Sequence, residues 1–385
     1  MTDFVRGNER LGERFPPVEP TGFTSEGRIA SGCSLGGMID RSGKLMAGSV
    51  IVQLMASMRD RATDLGAGYA GYGIYPELKD LYAFHIMYSS GAAQVETEEI
   101  LRRNFYIERD EVIPTKHVEA IVNAPLLRRY FCKPTQIALA QRRLKDEDEL
   151  VRQIVMHINA DVNGAFVFSS GKNMGVFKGV GYPEDIAEFF RIDDYRAYCW
   201  IAHGRFPTNT PGWWGGAHPF SMLNWSIVHN GEISSYGINK RYLEMFGYKC
   251  TLMTDTEVMA YLVDLLIRGH GLPPYLACKV LAPFFWDEID RMEGREKENY
   301  EKLRVVYASA MVNGPFGIIC GYGRGMFGLN DRIKLRPMIA ASKADTVYIA
   351  SEESAIHAVC DHPSKVWNPR GGEPVIAELY KDVTV

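Results

Sequence analysis

Residues 203–232 hold the groups that cleavage of an amide bond requires. The tract reads HGRFPTNTPGWWGGAHPFSMLNWSIVHNGE, with Arg205 near its start and the pair Asn230-Gly231 near its end. A side-chain carboxamide and a backbone N–H placed together can stabilise the oxyanion that forms when an amide carbonyl is attacked. An Asn-Gly pair after an apolar run is also typical of a hairpin turn, because both residues tolerate positive φ.

A further polar group follows downstream, where Thr254-Asp255-Thr256-Glu257 precedes a run with helical spacing. Such a pattern is a good helix N-terminus, where acidic side chains are favoured. A helix start is also a convenient place for a ligand-binding carboxylate. Because an Arg and an Asp can hold the two ends of an amino acid zwitterion, Arg205 and Asp255 beside an amide-cleaving pair suggest glutamine as the substrate.

Several short motifs of this chain occur together and in the order typical of one family. They include Asn209-Thr210, the neighbouring tryptophans, residues 217–220 (AHPF) and residues 229–233 (HNGEI). On these residues the chain resembles a class II glutamine amidotransferase domain of the N-terminal-nucleophile hydrolase superfamily, most closely the glutaminase domain of glutamate synthase. The resemblance runs from about Cys33 to residues 351–355.

The resemblance implies a cysteine nucleophile, and Cys33 at the start of an apolar strand is the candidate. Attack of its sulfur on the carboxamide, stabilisation of the oxyanion by the Asn230 side chain and the Gly231 N–H, and hydrolysis of a γ-glutamyl thioester would follow. We interpret the remaining cysteines as small buried hydrophobic residues.

Family members use the α-amino group of the nucleophile as the base, yet 32 residues precede Cys33. Residues 1–32 therefore resemble a pro-segment, and their polar, proline-broken composition agrees, with no apolar run typical of a secretory signal. The alternative is an ordered N-terminal extension that stays attached. Cys33 would then lack its amine, and the activity would be in doubt.

The resemblance also implies the residues that bind the substrate. Arg205 receives the α-carboxylate, Thr208 adds a hydrogen bond to it, and Asp255 pairs with the α-ammonium group. A further family arginine follows the first helix, and we place it at Arg61, with Arg59 as the alternative. The planar fork of Arg suits a carboxylate, so Lys at 205 would lose the bidentate geometry.

Composition limits the class of protein. With 385 residues, 46% of them hydrophobic, and a net charge of −4, the chain can bury a large core and is not a basic nucleic-acid binder. It has no apolar run of about 18 residues that would span a membrane. Seven cysteines without a C-x-x-C motif favour a reducing cytoplasm and argue against a disulfide framework or an iron–sulfur cluster.

Two patterns that mimic cofactor or metal sites do not meet the requirements of such sites. Residues 66–71 match G-x-G-x-x-G, but a helix precedes the glycines and a strand follows them, the reverse of a dinucleotide fingerprint. The histidines near the central tract, and those on either side of Cys360, lack the spacing of zinc ligands. We therefore expect neither a cofactor nor a metal in this chain.

The predicted elements form strands and helices that alternate without a linker after residue 33. Strands are predicted at 33–39, 71–75, 81–88, 164–168, 174–178, 198–203, 226–229, 316–322, 326–330, 337–341 and 347–351, and helices at 49–58, 255–268, 275–281 and 287–302. Residues 96–158 are mixed, and their charged run 141–149 is typical of a solvated helix face. Two packed sheets with helices outside are expected. This matches the fold implied by the resemblance, an α+β four-layer αββα sandwich formed by residues 33–385.

The resemblance also implies a partner. Glutamate synthases carry a flavin-binding barrel that receives the ammonia, and this chain has no room for one. We expect a separate glutaminase subunit that delivers ammonia to a synthase subunit carrying FMN and an iron–sulfur cluster. Two alternatives stay open: an amidotransferase subunit for another acceptor, such as one making N-methylglutamate, and a non-catalytic module that senses glutamine.

Overall fold

The computed structural model describes residues 32–206 and 212–385. Thr208 and residues 1–31 of the predicted pro-segment lie outside these ranges. The α-helices are α1 (Gly48–Ala56), α2 (Gly91–Asn104), α3 (Gln136–Arg142), α4 (Glu147–Asp161), α5 (Pro183–Phe189), α6 (Tyr236–Met245), α7 (Asp255–Asp264), α8 (Pro274–Leu281), α9 (Trp286–Asp290), α10 (Gly294–Val306) and α11 (Glu353–His357).

One sheet has seven antiparallel strands, and β1 lies in its centre. In spatial order they are β17 (Lys365–Trp367), β15 (Ile339–Lys343), β16 (Thr346–Ala350), β1 (Ser34–Asp40), β10 (Cys199–Gly204), β3 (Ala67–Tyr72) and β8 (Met174–Gly179). Every residue of β1 is buried, as expected for a strand covered on both faces.

A second antiparallel sheet has five strands. In spatial order they are β11 (Phe220–Met222), β12 (Trp225–Gly231), β13 (Phe316–Tyr322), β14 (Gly325–Asn330) and β18 (Val375–Glu378). Strand β12 packs over β1 and β10 of the first sheet, and helix α7 packs on its opposite face.

The two glycines of β1 show why these layers come so close. A Cβ on Gly36 would stand 2.4 Å from Leu54 of helix α1, and one on Gly37 would stand 3.1 Å from Ile319 of strand β13. Successive residues of a strand point to opposite faces, so Gly36 faces a helix layer and Gly37 faces the second sheet. Helices α1 and α5 cover the outer face of the first sheet, which confirms the predicted αββα sandwich.

A third sheet, which the sequence did not predict as such, lies beside the sandwich. Its antiparallel strands are β5 (Phe105–Val112), β6 (Leu126–Pro134), β4 (Tyr82–Tyr88) and β7 (Ala165–Ser169), and a short ladder joins β2 (Met46–Ala47) to β9 (Arg196–Ala197). The strands β5 and β6 come from the region interpreted only as mixed. Their exposed, charged positions hide the alternation that usually identifies a strand.

Two predicted helices differ from those observed. The charged run 141–149 is not one helix face: α3 ends before Arg143, which has φ of 55°, and Asp146 caps α4 by accepting from the Asp148 N–H. The predicted helix 287–302 is likewise two helices, α9 and α10, which meet at Gly294 with φ of 57°. In both cases a residue in the left-handed region interrupts the helical backbone.

The glycine pattern at residues 66–71 lies mostly within strand β3, not in a turn between a strand and a helix. This agrees with the rejection of a dinucleotide fingerprint. Among the helices that the structure describes, none is long and apolar enough to cross a membrane.

Candidate active site

Cys33 lies immediately before strand β1, beside the segment that leaves strand β10. Because Ser34 is paired with Gly204 in the two strands, Cys33 lies beside the residues that follow β10, and its Sγ accepts a hydrogen bond from the Phe206 N–H at 3.2 Å. Cys33 is half-buried, whereas the other six cysteines are buried. Of the seven cysteines, Cys33 is therefore the one that is not fully buried.

The ionisation of this thiol is opposed by its surroundings. Burial raises the pKa of Cys33, and the Phe206 N–H and the charges of Arg205 and Arg336 lower it without overcoming the effect of burial. With Gly32 still attached, the thiol is thus protonated at neutral pH. A base near Cys33 is needed before the sulfur becomes a strong nucleophile.

Asn230 presents its carboxamide to the residue before Cys33. It is 2% exposed, and among the described residues its Nδ2 has no hydrogen-bond partner. A Cβ built on Gly32 would stand 3.0 Å from Asn230 Oδ1. A buried amide donor without a partner is costly, so an unsatisfied donor beside the thiol is the feature expected of a group kept for an oxyanion.

Gly231 ends strand β12 in a conformation that requires glycine. Asn230 and Gly231 are paired with Gly317 and Phe316 of β13, so the pair is the end of a strand and the hairpin interpretation is wrong. Gly231 has φ of 145°, and a Cβ on it would stand 2.0 Å from the carbonyl oxygen of Pro315. The backbone there can approach a neighbour that any side chain would exclude.

We expect Gly231→Ala to destabilise the protein by at least about 2 kcal/mol, because the new Cβ would meet backbone and φ would be strained. Urea unfolding followed by circular dichroism measures this change. Gly91→Ala is the matched control, since a Cβ on Gly91 at the start of α2 meets nothing within 4 Å. Equal stability of the two variants would contradict the assigned role of Gly231.

Asp255 is the first residue of helix α7 and is hydrogen-bonded to the segment that follows Gly231. Its Oδ2 accepts from the Ile233 N–H at 3.0 Å, and its Oδ1 accepts from the Thr256 hydroxyl at 3.3 Å and lies 3.6 Å from His229 Nδ1. Burial alone would raise the pKa of Asp255, but His229 and these hydrogen bonds outweigh it and the pKa lies below its ordinary value. Asp255 is thus a carboxylate at neutral pH, as binding of an ammonium group requires.

Three buried histidines, His203, His218 and His229, form a cluster that holds Asp255 in place through Thr256. His218 Nε2 and His229 Nδ1 lie 2.8 and 3.1 Å from the Thr256 hydroxyl oxygen. Because this hydroxyl has one proton and donates it to Asp255, both histidine nitrogens must donate to its oxygen. The tautomers of His218 and His229 are thereby set, and the carboxylate is held in one orientation.

His203 joins this cluster to the first sheet. Its ring stacks on that of His218 at 4.0 Å between centroids, and its Nε2 donates to the His229 carbonyl oxygen at 3.0 Å. Burial lowers the pKa of His203 to about 3 and that of His218 well below its ordinary value, so both rings are neutral.

In the part of the chain that the structure describes, no group of His, Cys, Asp and Glu is arranged to hold a metal. No sequence pattern indicated that these histidines support Asp255.

Glu257 completes the start of helix α7. It is buried, and its carboxyl group accepts the backbone N–H groups of Thr251 and Leu252 and the Tyr261 hydroxyl. Burial raises the pKa of Glu257 to about 7. The acidic helix start therefore has two separate uses: Asp255 faces the site, and Glu257 holds the preceding loop.

Arg205 follows strand β10, on the same side of the site as Cys33. Its Nη1 lies 3.4 Å from the Leu65 carbonyl oxygen, and its own carbonyl accepts from the Thr63 N–H and hydroxyl. Burial lowers the pKa of Arg205, and the Cys33 sulfur opposes that effect. A fixed backbone and a guanidinium close to the thiol suit the predicted carboxylate-binding role, which stays a prediction, as does that of Thr208.

Arg61 and Arg59 differ sharply in position. Arg61 is 8% exposed, and its Nη1 forms an ion pair with Glu352 at 2.9 Å. Glu352 lies close to strand β1, because the neighbouring Ser351 hydroxyl accepts a hydrogen bond from the Leu35 N–H. Arg59 is exposed, pairs with Glu184 at 3.0 Å and stacks on a tyrosine. The geometry favours Arg61 as the arginine that faces the site.

We expect Arg61→Met to lower kcat/KM for glutamine hydrolysis at least about tenfold, since it leaves Glu352 without its partner beside the site. Arg59→Met is the matched control and should change neither activity nor, by more than about 0.5 kcal/mol, stability, because exposed ion pairs contribute little. Steady-state kinetics with both variants measures the difference. The opposite ranking would move the family arginine to Arg59.

Two residues near the site were not foreseen from the sequence. Glu352 pairs with Arg61, and Arg336, between β14 and β15, acts through its charge on the Cys33 thiol. The tract around Glu352 marked the end of the family resemblance, which was the one signal available for it. Nothing in the local pattern of Arg336 indicated that it lies near strand β1, about 300 residues earlier in the chain.

Comparisons with known proteins identify the family of this chain. The model of the family described as glutamine amidotransferases class-II matches residues 94–367, a stretch that includes Arg205, Asn230 and Asp255 but starts after Cys33. An uncharacterized protein of Archaeoglobus fulgidus is 51% identical over 90% of this chain and 92% of its own length.

Two more distant relatives have descriptive names. A putative glutamine amidotransferase of Methanothermobacter thermautotrophicus is 24% identical over 90% of this chain and all of its own length. The glutamine amidotransferase-like protein GlxB of Rhizobium meliloti is 25% identical over 88% of this chain and 95% of its own. Since the family model covers well over half of the residues, the chain belongs to the class-II glutamine amidotransferases.

Proposed function

We propose that this chain hydrolyses L-glutamine to glutamate and ammonia through a thioester on Cys33 and passes the ammonia to a glutamate synthase-type partner. The observation that carries the proposal is a buried carboxamide that lies against the residue preceding the half-buried Cys33. Asn230 Nδ2 has no partner among the described residues, and Asn230 Oδ1 lies against Gly32, the residue joined to Cys33.

In this mechanism residues 1–32 are removed first, which frees the α-amino group of Cys33. Free α-amino groups titrate near ~7.7–8.0, so the neutral amine can take the thiol proton. The sulfur attacks the carboxamide carbon, and the negative charge on the former carbonyl oxygen is stabilised by Asn230 and the Gly231 N–H. The C–N bond breaks, the amine proton passes to the leaving nitrogen, and ammonia departs.

The thioester is then hydrolysed by water. Water adds to the thioester carbon, the same donors stabilise the second tetrahedral anion, and the C–S bond breaks to release glutamate and the thiol. Arg205, Thr208 and Asp255 hold the amino acid end of the substrate throughout. Asp255 suits this task because it is ionised and held in place by Ile233 and Thr256.

Intact mass before and after exposure to a diazoketone analogue of glutamine tests the first part of the proposal. We expect the loss of residues 1–32 and one adduct, which peptide mapping places on Cys33. Cys33→Ser should stay unlabelled under the same conditions. A full-length chain that forms no adduct and releases no ammonia from glutamine would favour the glutamine-sensing module instead.

The partner in this proposal is a synthase subunit that carries FMN and an iron–sulfur cluster, with no cofactor in this chain. Such a subunit would combine the ammonia with 2-oxoglutarate, and the chemistry that its flavin would supply is the two-electron reduction that forms glutamate. Adding a candidate synthase subunit, 2-oxoglutarate and a reductant should yield two glutamates for each glutamine consumed. One glutamate and free ammonia for each glutamine, with every such candidate, would indicate a different acceptor.

A further inference from the structure

Arg336 lies beside the site without an acidic partner. Among the ion pairs of the described residues, none involves Arg336, and its Nε is buried without a hydrogen-bond partner there. The side chain as a whole is half-buried. An arginine that is partly desolvated and not paired with a carboxylate is costly, so a ligand or a developing charge is the expected compensation.

The register of the second sheet places Arg336 on the same face as the Asn230 carboxamide. Gly317 of β13 is paired with Asn230 on one side and with Asn330 on the other. Directly paired residues point to the same face of a sheet. A Cβ on Gly317 would stand 3.4 Å from the Cβ of Arg336, so Arg336 occupies the space that this glycine leaves between the two asparagines.

The backbone of Arg336 is held in this position by Asn330. The Asn330 Nδ2 donates to the Arg336 carbonyl oxygen at 2.5 Å. The same glycine also approaches Leu35 of β1, two residues after Cys33. Arg336 thus stands where the end of β12 and the start of β1 meet.

The charged groups that act on Cys33 are Arg205 and Arg336, and both lower the pKa of its thiol against the effect of burial. Arg205 also contacts the Leu65 carbonyl and is the predicted carboxylate ligand. Arg61, the third arginine of this region, is paired with Glu352. Of the three, Arg336 is the one with no assigned anion.

We propose that Arg336 is the cation that stabilises the anionic sulfur of Cys33 and the tetrahedral anion formed from it. The inference rests on the proposed role of Cys33 as the nucleophile. The thiol proton leaves to the base, and the positive charge of the guanidinium offsets the negative charge that remains on the sulfur. Arg336 is thereby separate from Arg205, whose partner is the carboxylate of the substrate.

The pH dependence of Cys33 alkylation by iodoacetamide tests this inference. The reagent is neutral and reacts with the thiolate, forming a C–S bond and releasing iodide, so the midpoint of the rate profile reports ionisation of the thiol. Peptide mapping distinguishes alkylation of Cys33 from alkylation of the six buried cysteines. Since alkylation needs no glutamine, a wild-type chain without glutaminase activity would overturn the proposed function and leave this test intact.

In Arg336→Met, which keeps the aliphatic stem, we expect the midpoint to rise by about one pH unit. Arg336→Lys should restore most of the shift. Arg332→Met is the matched control on the same loop, because Arg332 contacts Asn313 and Phe285 and not the thiol. For glutamine hydrolysis, Arg336→Met should lower kcat and leave KM within about twofold, as for a group that acts on reacting atoms.

An unchanged midpoint in folded Arg336→Met would overturn the inference, as would a rise in KM without any change of the thiol profile. Circular dichroism and thermal melting establish that each variant is folded. If Arg336→Met does not fold, Arg336→Gln replaces it. An unchanged midpoint in that variant, or a rise in KM without any change of the thiol profile, would overturn the inference in the same way. An equal rise of the midpoint in Arg332→Met would also overturn the inference, because any positive charge on this loop would then affect the Cys33 thiol to the same extent as Arg336.

Discussion

Cys33→Ser is expected to lower kcat for glutamine hydrolysis by at least about four decades, because loss of the nucleophile removes the covalent route altogether. A serine hydroxyl is a far weaker acid than a thiol and a poorer nucleophile at neutral pH, so the α-amine activates it much less well. Ammonia release from glutamine, followed over hours at high enzyme concentration, measures the residual rate.

Cys360→Ser is the matched control for this experiment. Cys360 is 3% exposed and lies in the segment after helix α11. Its substitution by serine makes the same chemical change at a position away from the site. We expect it to keep at least about half of the wild-type activity once folded. Residual activity of Cys33→Ser within tenfold of the wild type would remove Cys33 from the mechanism.

Asn230→Ala is expected to slow kcat by about two to three decades, as loss of one oxyanion donor does elsewhere. The effect on stability should be small in comparison, about 2 kcal/mol or less, because Asn230 Nδ2 has no hydrogen bond to lose among the described residues. Steady-state kinetics and urea unfolding measure the two quantities on the same preparation.

Asn224→Ala provides the comparison for Asn230. Its carboxamide accepts from the Lys172 N–H at 2.7 Å, away from Cys33, so its loss should affect stability and leave kcat nearly unchanged. Alkylation of Cys33 in Asn230→Ala should also keep the wild-type rate, since the carboxamide acts after attack. A change confined to KM would mean that Asn230 binds substrate and is not an oxyanion donor.

The strands of the sandwich were predictable because their side chains alternate or are uniformly apolar. Strand β13 was predicted with its observed limits, and the predicted ends of β1, β10 and β12 lie within two residues of the observed ends. Strands β5 and β6 were missed because charged residues on their open face interrupt the pattern. The break at Gly294 was missed because a single glycine inside a polar helical run is a weak signal.

The sequence by itself determined the types of group available: one cysteine in a strand-start context, an Asn-Gly pair and an acidic helix start. It also determined that these groups lie in the order typical of one family. The tertiary structure brought Cys33, Asn230 and Asp255 to one place, by pairing β1 with β10 and packing β12 above them.

Only the tertiary structure decided which arginines face the site and what supports Asp255. Arg59 and Arg61 are two residues apart in a short helical turn, and burial of one against Glu352 separates them. The histidine cluster and the position of Arg336 depend on contacts between strands that are distant in the chain. Local patterns carry no information about such register, because it is set by how the two sheets pack and pair.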